Sequence, residues 1–217
     1  MAKKNPQSRE KILKTAGRLF AQRGYFGTSM DKIAKEVGVG KSALYYHFES
    51  KEALCRELMT GSCKELKDRL KKTVENSLTS VDILFNLIKT FLDFRLEHPE
   101  IGLLTSLGLS SDREMPIVQF ITDLRNEMIK SIRVLIGGLD FVRRRTRKFA
   151  YVLAVSVLGF VLNPLLPKDM ETDEISRNLT ILLQHQGLSG KTKEAKMTKK
   201  QVSPNFNENH YKHLETI

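Results

Sequence analysis

Residues 28–54 of this 217-residue chain read Thr-Ser-Met-Asp-Lys-Ile-Ala-Lys-Glu-Val-Gly-Val-Gly-Lys-Ser-Ala-Leu-Tyr-Tyr-His-Phe-Glu-Ser-Lys-Glu-Ala-Leu. Two short helical segments flank a glycine-bearing turn. Ile33, Ala34 and Val37 form the buried side of the first, and Gly38 permits the turn because positive φ costs glycine little. Thr28 or Ser29 caps that segment, with Asp31 giving Thr28 an acidic capping-box partner. The second segment begins near Lys41. At ~100° per residue, Lys41, Ser42, Tyr45 and Tyr46 share one side, and Ala43, Leu44, His47 and Phe48 share the other. One side packs on neighbouring helices while the other presents an ammonium, a hydroxyl and two phenols. Such a pair is a helix-turn-helix, which lays one helix in the major groove of DNA.

Working outward, Ser8 is an expected N-cap for a preceding helix, with Glu10 in its first turn. Ile12, Leu13, Ala16, Leu19 and Phe20 make its apolar stripe, and Gly24 is its expected stop. On the other flank Ser50 caps a helix that runs through Leu54, Leu58, Leu66 and Leu70. Charge is distributed to match. Residues 1–51 hold 11 Lys+Arg against 4 Asp+Glu, whereas residues 52–190 hold 19 against 18. A basic surface confined to one end suits a phosphate-binding module beside a neutral partner domain. The expected division is therefore 1–51 for DNA binding, 52–187 for a helical regulatory and dimerisation domain, and 188–217 for a basic, disordered tail.

From Val81 onward the pattern stays helical. Ile83 to Leu96 is apolar until His98-Pro99, and Ile117 to Ile136 keeps i, i+3, i+4, i+7 spacing before Gly137-Gly138. Asp173 to Gln186 forms a last amphipathic helix. Phe149 to Leu166 follows the basic run Arg143–Lys148 and could be taken for a membrane span, but Ser156, Asn163 and Pro164 interrupt it. A buried helix at a subunit interface explains the same composition, so no membrane partner is expected.

Other chemistries find little support. Gly40-Lys41-Ser42 imitates the end of a phosphate-binding loop, but position 35 is lysine rather than glycine; Gly190-Lys191-Thr192 fails likewise at His185. No nucleophile elbow, dinucleotide fingerprint or paired histidines at metal spacing occur, so neither an enzyme nor a metal or cofactor is expected. Cys55 and Cys63 fit neither a disulfide framework nor a zinc site, and no apolar run follows the amino terminus. A cytoplasmic setting is the expectation.

Residues 8–54 resemble the DNA-binding domain of the TetR family of bacterial transcriptional regulators. The resemblance rests on Ala16, Leu19 and Phe20, Gly24-Tyr25, Thr28, Ile33-Ala34, Gly38-Val39, Leu44-Tyr45-Tyr46-His47-Phe48, Lys51 and Leu54, and more loosely on His98-Pro99-Glu100. It implies an all-α fold: an amino-terminal three-helix helix-turn-helix domain plus a larger helical ligand-binding and dimerisation domain. It also implies a homodimer on a palindromic operator in double-stranded DNA. Carried over by position, DNA contacts fall on Thr28, Ser29, Met30, Gly40, Lys41, Ser42, Tyr45, Tyr46, His47 and Lys51. Two positions depart from the pattern: Gly40 stands where the family usually has Ser or Thr, and Val37 replaces a common alanine.

The resemblance further implies a cavity for a small, mainly apolar effector. Phe91, Phe94, Leu103, Leu107, Met115, Phe120, Leu124 and Met128 are its candidate lining, with Arg95 or Arg125 to neutralise an acid. A plain helical core accounts for the apolar set equally well. Tyr151, Val155, Leu158, Val161, Leu162, Leu179, Leu182 and Leu183 are the implied dimer contacts. The alternative is a DNA-binding protein whose large domain docks a protein partner instead of a small ligand.

Overall fold

The computed structural model describes residues 6–107, 114–137 and 171–187, all helix and connecting turn with no strand among them. The elements are α1 Pro6–Arg23, α2 Met30–Val37, α3 Lys41–His47, α4 Lys51–Asn76, α5 Ser80–Glu97, a 3₁₀ turn Pro99–Gly102, α6 Leu103–Ser106, α7 Pro116–Gly137 and α8 Thr172–Gly187. Helix α1 starts at Pro6 and not at an Ser8 cap. Proline suits a first helical position because its missing N–H would have had no intrahelical partner there. Gly24 ends α1 at φ 69°, as expected of a left-handed stop.

Helices α4 and α5 are capped by side chains. Ser50 Oγ accepts from Ala53 N at 3.0 Å. At α5 the cap is reciprocal, Thr79 Oγ1 accepting from Asp82 N while Asp82 Oδ2 accepts from Thr79 N.

Helix α4 is the spine, packing against α1, α5 and α7, while α8 lies along α5. Leu54, Leu58, Met59, Cys63, Leu66 and Leu70 join one apolar cluster running from Ile12 and Phe20 to Ile121, Met128 and Ile132. Cys55 and Cys63 are free thiols within it, and burial pushes both up to about 12. Among the described residues no helix is long and apolar enough to cross a membrane. Phe149–Leu166 lies outside the described residues.

The amino-terminal unit meets the rest at a buried carboxylate. Glu100 is 4% exposed; its Oε1 accepts from Ser62 Oγ at 2.7 Å and lies 3.1 Å from His98 Nδ1. Gly17 of α1 faces the other oxygen so closely that a Cβ would stand 3.0 Å from Oε2. His98 is stacked on Phe94 with ring centroids 4.2 Å apart. The 3₁₀ turn thus reaches both α1 and α4 with a hydrogen-bonded charge, which is how a buried carboxylate is tolerated.

Candidate nucleic-acid interface

Three devices set the orientation of α3. Gly38 closes α2 at φ 80°, its N–H donating to the carbonyls of Ala34 and Lys35. Gly40, the N-cap of α3, makes no side-chain cap bond, as expected for glycine at that place. Leu44 then plugs the core at 0% exposure, with Phe48 just beyond the helix at 3%. Ala43, expected inward, is exposed, so the buried arc of α3 is narrower than the wheel implies.

The opposite side carries the expected chemistry. Tyr45 and Tyr46 are 42% and 51% exposed, and Lys41 and Ser42 stand in solvent beside them. Lys41 pairs with Asp31 of α2 across the turn, Nζ to Oδ1 2.9 Å, and that carboxylate raises its pKa. Both partners are solvent-exposed, so the pair is weak and a DNA phosphate can displace the carboxylate. His47 is half-buried; its ring meets Tyr46 edge-on at 5.5 Å, and its buried Nδ1 has no hydrogen-bond partner among the described residues.

Besides the half-buried His47, three of the positions that the resemblance offers for DNA contact are covered in the free protein. Thr28 is 1% exposed, and its hydroxyl donates to the carbonyls of Leu19 and Gly24 at 3.3 and 2.9 Å. It locks the α1–α2 turn from inside, and Ser29 is the cap, accepting from Lys32 N at 3.2 Å. Met30 is 7% exposed because it begins the stripe Met30, Ile33, Ala34, Val37 on the inner side of α2. Lys51 donates to the carbonyls of Tyr25 and Thr28, both at 3.0 Å, and its Nζ lies 4.2 Å from the Tyr25 ring centroid. Burial lowers its pKa, and only one of its three N–H groups is left for a phosphate. The outward set is therefore Ser29, Gly40, Lys41, Ser42, Tyr45 and Tyr46.

Phe26, 57% exposed in the same turn, is a surface residue that sequence reasoning passed over. The available signal was the adjacent pair Tyr25-Phe26, of which the turn buries only the tyrosine, pushing its phenol up to about 12.

The expected ligand lining is mostly packed. Phe91, Phe94, Leu103, Leu107, Leu124 and Met128 are all buried, and Met115, Phe120, Arg95 and Arg125 are half-buried. Phe120 is covered by the Arg56 guanidinium, 4.5 Å from its centroid, which also donates to Pro116 O at 3.1 Å. A solvent-open cleft of about 310 Å³ lies between α4 and α5, lined by Lys72, Thr73, Asn76, Asn86, Lys89 and Asp93 among others, and none of the expected lining borders it. Of the dimer set, Leu179 packs on the core. Tyr151, Val155, Leu158, Val161 and Leu162 lie outside the described residues, as do the side chains of Leu182 and Leu183.

Comparison with known proteins agrees with this geometry. The family of bacterial regulatory proteins, tetR family, matches residues 12–58. The chain is 32% identical over 130 residues to the HTH-type transcriptional regulator YhgD of Bacillus subtilis, covering 55% of this chain and 68% of that protein. It is 30% identical over 127 residues to IcaR, the negative transcriptional regulator of the biofilm operon icaADBC in Staphylococcus epidermidis, covering 56% and 68%. The fold is similar to that of the Bacillus subtilis regulator FadR in complex with stearoyl-CoA, with TM-score 0.59, 20% identity, and 80% and 96% of the two chains covered.

Proposed function

The chain belongs to the TetR family of DNA-binding transcriptional regulators, and from that premise we propose that it is a homodimeric repressor released from a palindromic operator by a small, mainly apolar effector. The observation that carries this is the outward face of α3: two phenols, a hydroxyl and a displaceable ammonium on a helix anchored by Leu44. In a two-fold dimer two such faces meet successive major grooves ~34–36 Å apart. Lys41 meets phosphate or a guanine edge, and the tyrosines contact sugar, thymine methyl or phosphate. Ser29 and Ser42 hydroxyls are further donors to the backbone.

Release requires that the effector favour a conformation in which the two α3 helices are wrongly spaced. Decisive release needs a preference of ~5 kcal/mol between the two states. FadR's stearoyl-CoA and the apolar interior of α5 and α7 support an acyl compound as the first to try. The test is fluorescence anisotropy on a duplex selected from a random pool, titrated with stearoyl-CoA and shorter acyl compounds. Dissociation of the duplex by one of them is expected; operator binding unmoved by every acyl compound would contradict this effector class. The close burial of Phe91, Phe94 and Met128 favours a second reading, in which the large domain docks a protein partner.

A further inference from the structure

The reading unit carries a carboxylate where affinity for DNA alone would have none. Residues 1–51 hold four acids, Glu10, Asp31, Glu36 and Glu49. Glu36 is held by Arg18 at 2.6 Å. Asp31 instead lies against the outward set, for Lys41 Nζ reaches its Oδ1 at 2.9 Å and its Oδ2 at 3.2 Å. The Asp31 and Lys41 side chains are 66% and 63% exposed, so their pairing adds little to stability.

Helix capping does not account for this carboxylate either. Asp31 is expected from the sequence to complete a capping box with Thr28, but Ser29 is the cap, and the residue three beyond it is Lys32. An acid in the first turn of α2 does suit the helix dipole. That explains a negative charge at this level of the helix. It does not explain a carboxylate clasped to the first cation of α3.

Phosphates repel a carboxylate, so Asp31 weakens binding to any duplex that gives it nothing in return. What the major groove can give an acceptor is an amino group, on cytosine N4 or adenine N6. The adenine group lies between two acceptors, its own N7 and thymine O4, which repel the second carboxylate oxygen. Cytosine N4 has an acceptor, guanine O6, on one side alone. We propose that Asp31 is a specificity-determining residue that reads a cytosine amino group in each half-site, exchanging Lys41 for the base and releasing the ammonium to a neighbouring phosphate. Without such a base, giving up the ammonium would leave the carboxylate unpaired beside phosphates, so the pair stays closed and the unit meets the backbone one cation short. The right base therefore adds a base contact and a phosphate contact together, and a wrong one forfeits both. This rests on the operator reading above and deepens it: α2 discriminates between sequences as well as α3.

The experiment uses the full chain as wild type, Asp31→Ala, Asp31→Asn, Lys41→Met and the double variant of Asp31→Ala with Lys41→Met. All should melt close to wild type, because the pair is exposed. Asp31→Asn, which keeps the side chain's shape, carries the test should the alanine variant melt lower. Duplexes selected from a random pool by wild type are expected to fix a cytosine in each half-site. Asp31→Ala should weaken that preference about tenfold, and Asp31→Asn should shift it to adenine, whose N6 and N7 suit an amide. Salt titrations by fluorescence anisotropy then follow the ammonium. On an unrelated duplex, Lys41→Met should match wild type in the slope of log affinity against log salt, while Asp31→Ala steepens it by about one per subunit. The double variant should return that slope to the wild-type value. On the selected duplex the order reverses, Lys41→Met losing the increment and Asp31→Ala gaining none. Identical base preferences from wild type and both Asp31 variants would overturn the proposal. So would a double variant as steep as Asp31→Ala, which would make the carboxylate a plain repulsion, or a wild-type preference for adenine that Asp31→Ala removes. A wild type that enriches no shared sequence would instead overturn the operator reading beneath it.

Discussion

Helix α3 buries Leu44 alone, while α5 buries Ile83, Leu84, Leu87, Ile88, Phe91, Leu92 and Phe94. The first is a tool mounted on a single apolar bolt; the second is part of the frame. Side chains on α3 are therefore free to be selected for what they touch outside the protein, and changing them should leave stability alone. Side chains on α5 serve packing first, so changing them should cost stability before it costs anything else.

Alkali should test both regions at once and with the largest effect. Tyr25 of the reading unit and Cys55 and Cys63 of α4 have folded pKa values of about 12, against ordinary values of 10.0 and 9.0. Burial raises all three, so the folded state keeps protons that the unfolded chain releases. Their contribution is whole below pH 9.0 and is lost as pH climbs toward about 12. The melting temperature should fall across that window; a flat profile to pH 12 would contradict their placement.

Leu44→Ala is expected to destabilise by ~2–5 kcal/mol and to remove DNA binding with it. A thermal melt unchanged by this substitution would break the single-anchor description of α3. Gly17→Ala comes next. Its Cβ would stand 3.0 Å from Glu100 Oε2 and 3.5 Å from Leu58, at the joint between the two regions. A loss of ~1–3 kcal/mol in a urea titration is expected, since neither the hydrogen-bonded carboxylate nor α4 can yield easily.

Tyr45→Ala and Tyr46→Ala should each weaken binding by ~1–3 kcal/mol per half-site without moving the melt. Lys41→Met should lower the slope of log affinity against log salt by about one per half-site. The smallest change is Gly40→Ser, which gives α3 the missing side-chain cap. It should add a few tenths of a kcal/mol to stability. A measurable loss of stability would show that the turn needs glycine for a reason other than capping, since its φ of −67° is open to any residue.

The reading unit was legible because groove chemistry has to face outward, opposite a few spaced apolar anchors. Met30, Ile33, Ala34 and Val37 follow i, i+3, i+4, i+7, which places Met30 inside. Thr28 and Ser29 could not be told apart as caps, because adjacent hydroxyls offer the same chemistry. The choice is made by the Thr28 hydroxyl, which turns inward to the carbonyls of Leu19 and Gly24 and leaves Ser29 as the cap. In the body, pocket lining and core draw on the same residues, so Phe94 could not be recognised as a ring held between His98 and Arg69.

The most direct test of groove entry by α3 is selection of binding duplexes from a random pool by wild type and by Tyr45→Ala. An inverted repeat with half-sites one helical turn or a multiple apart is expected from wild type, with altered base preference at matched positions in both half-sites for the variant. Enrichment of an asymmetric site, or identical preferences from the two proteins, would contradict it.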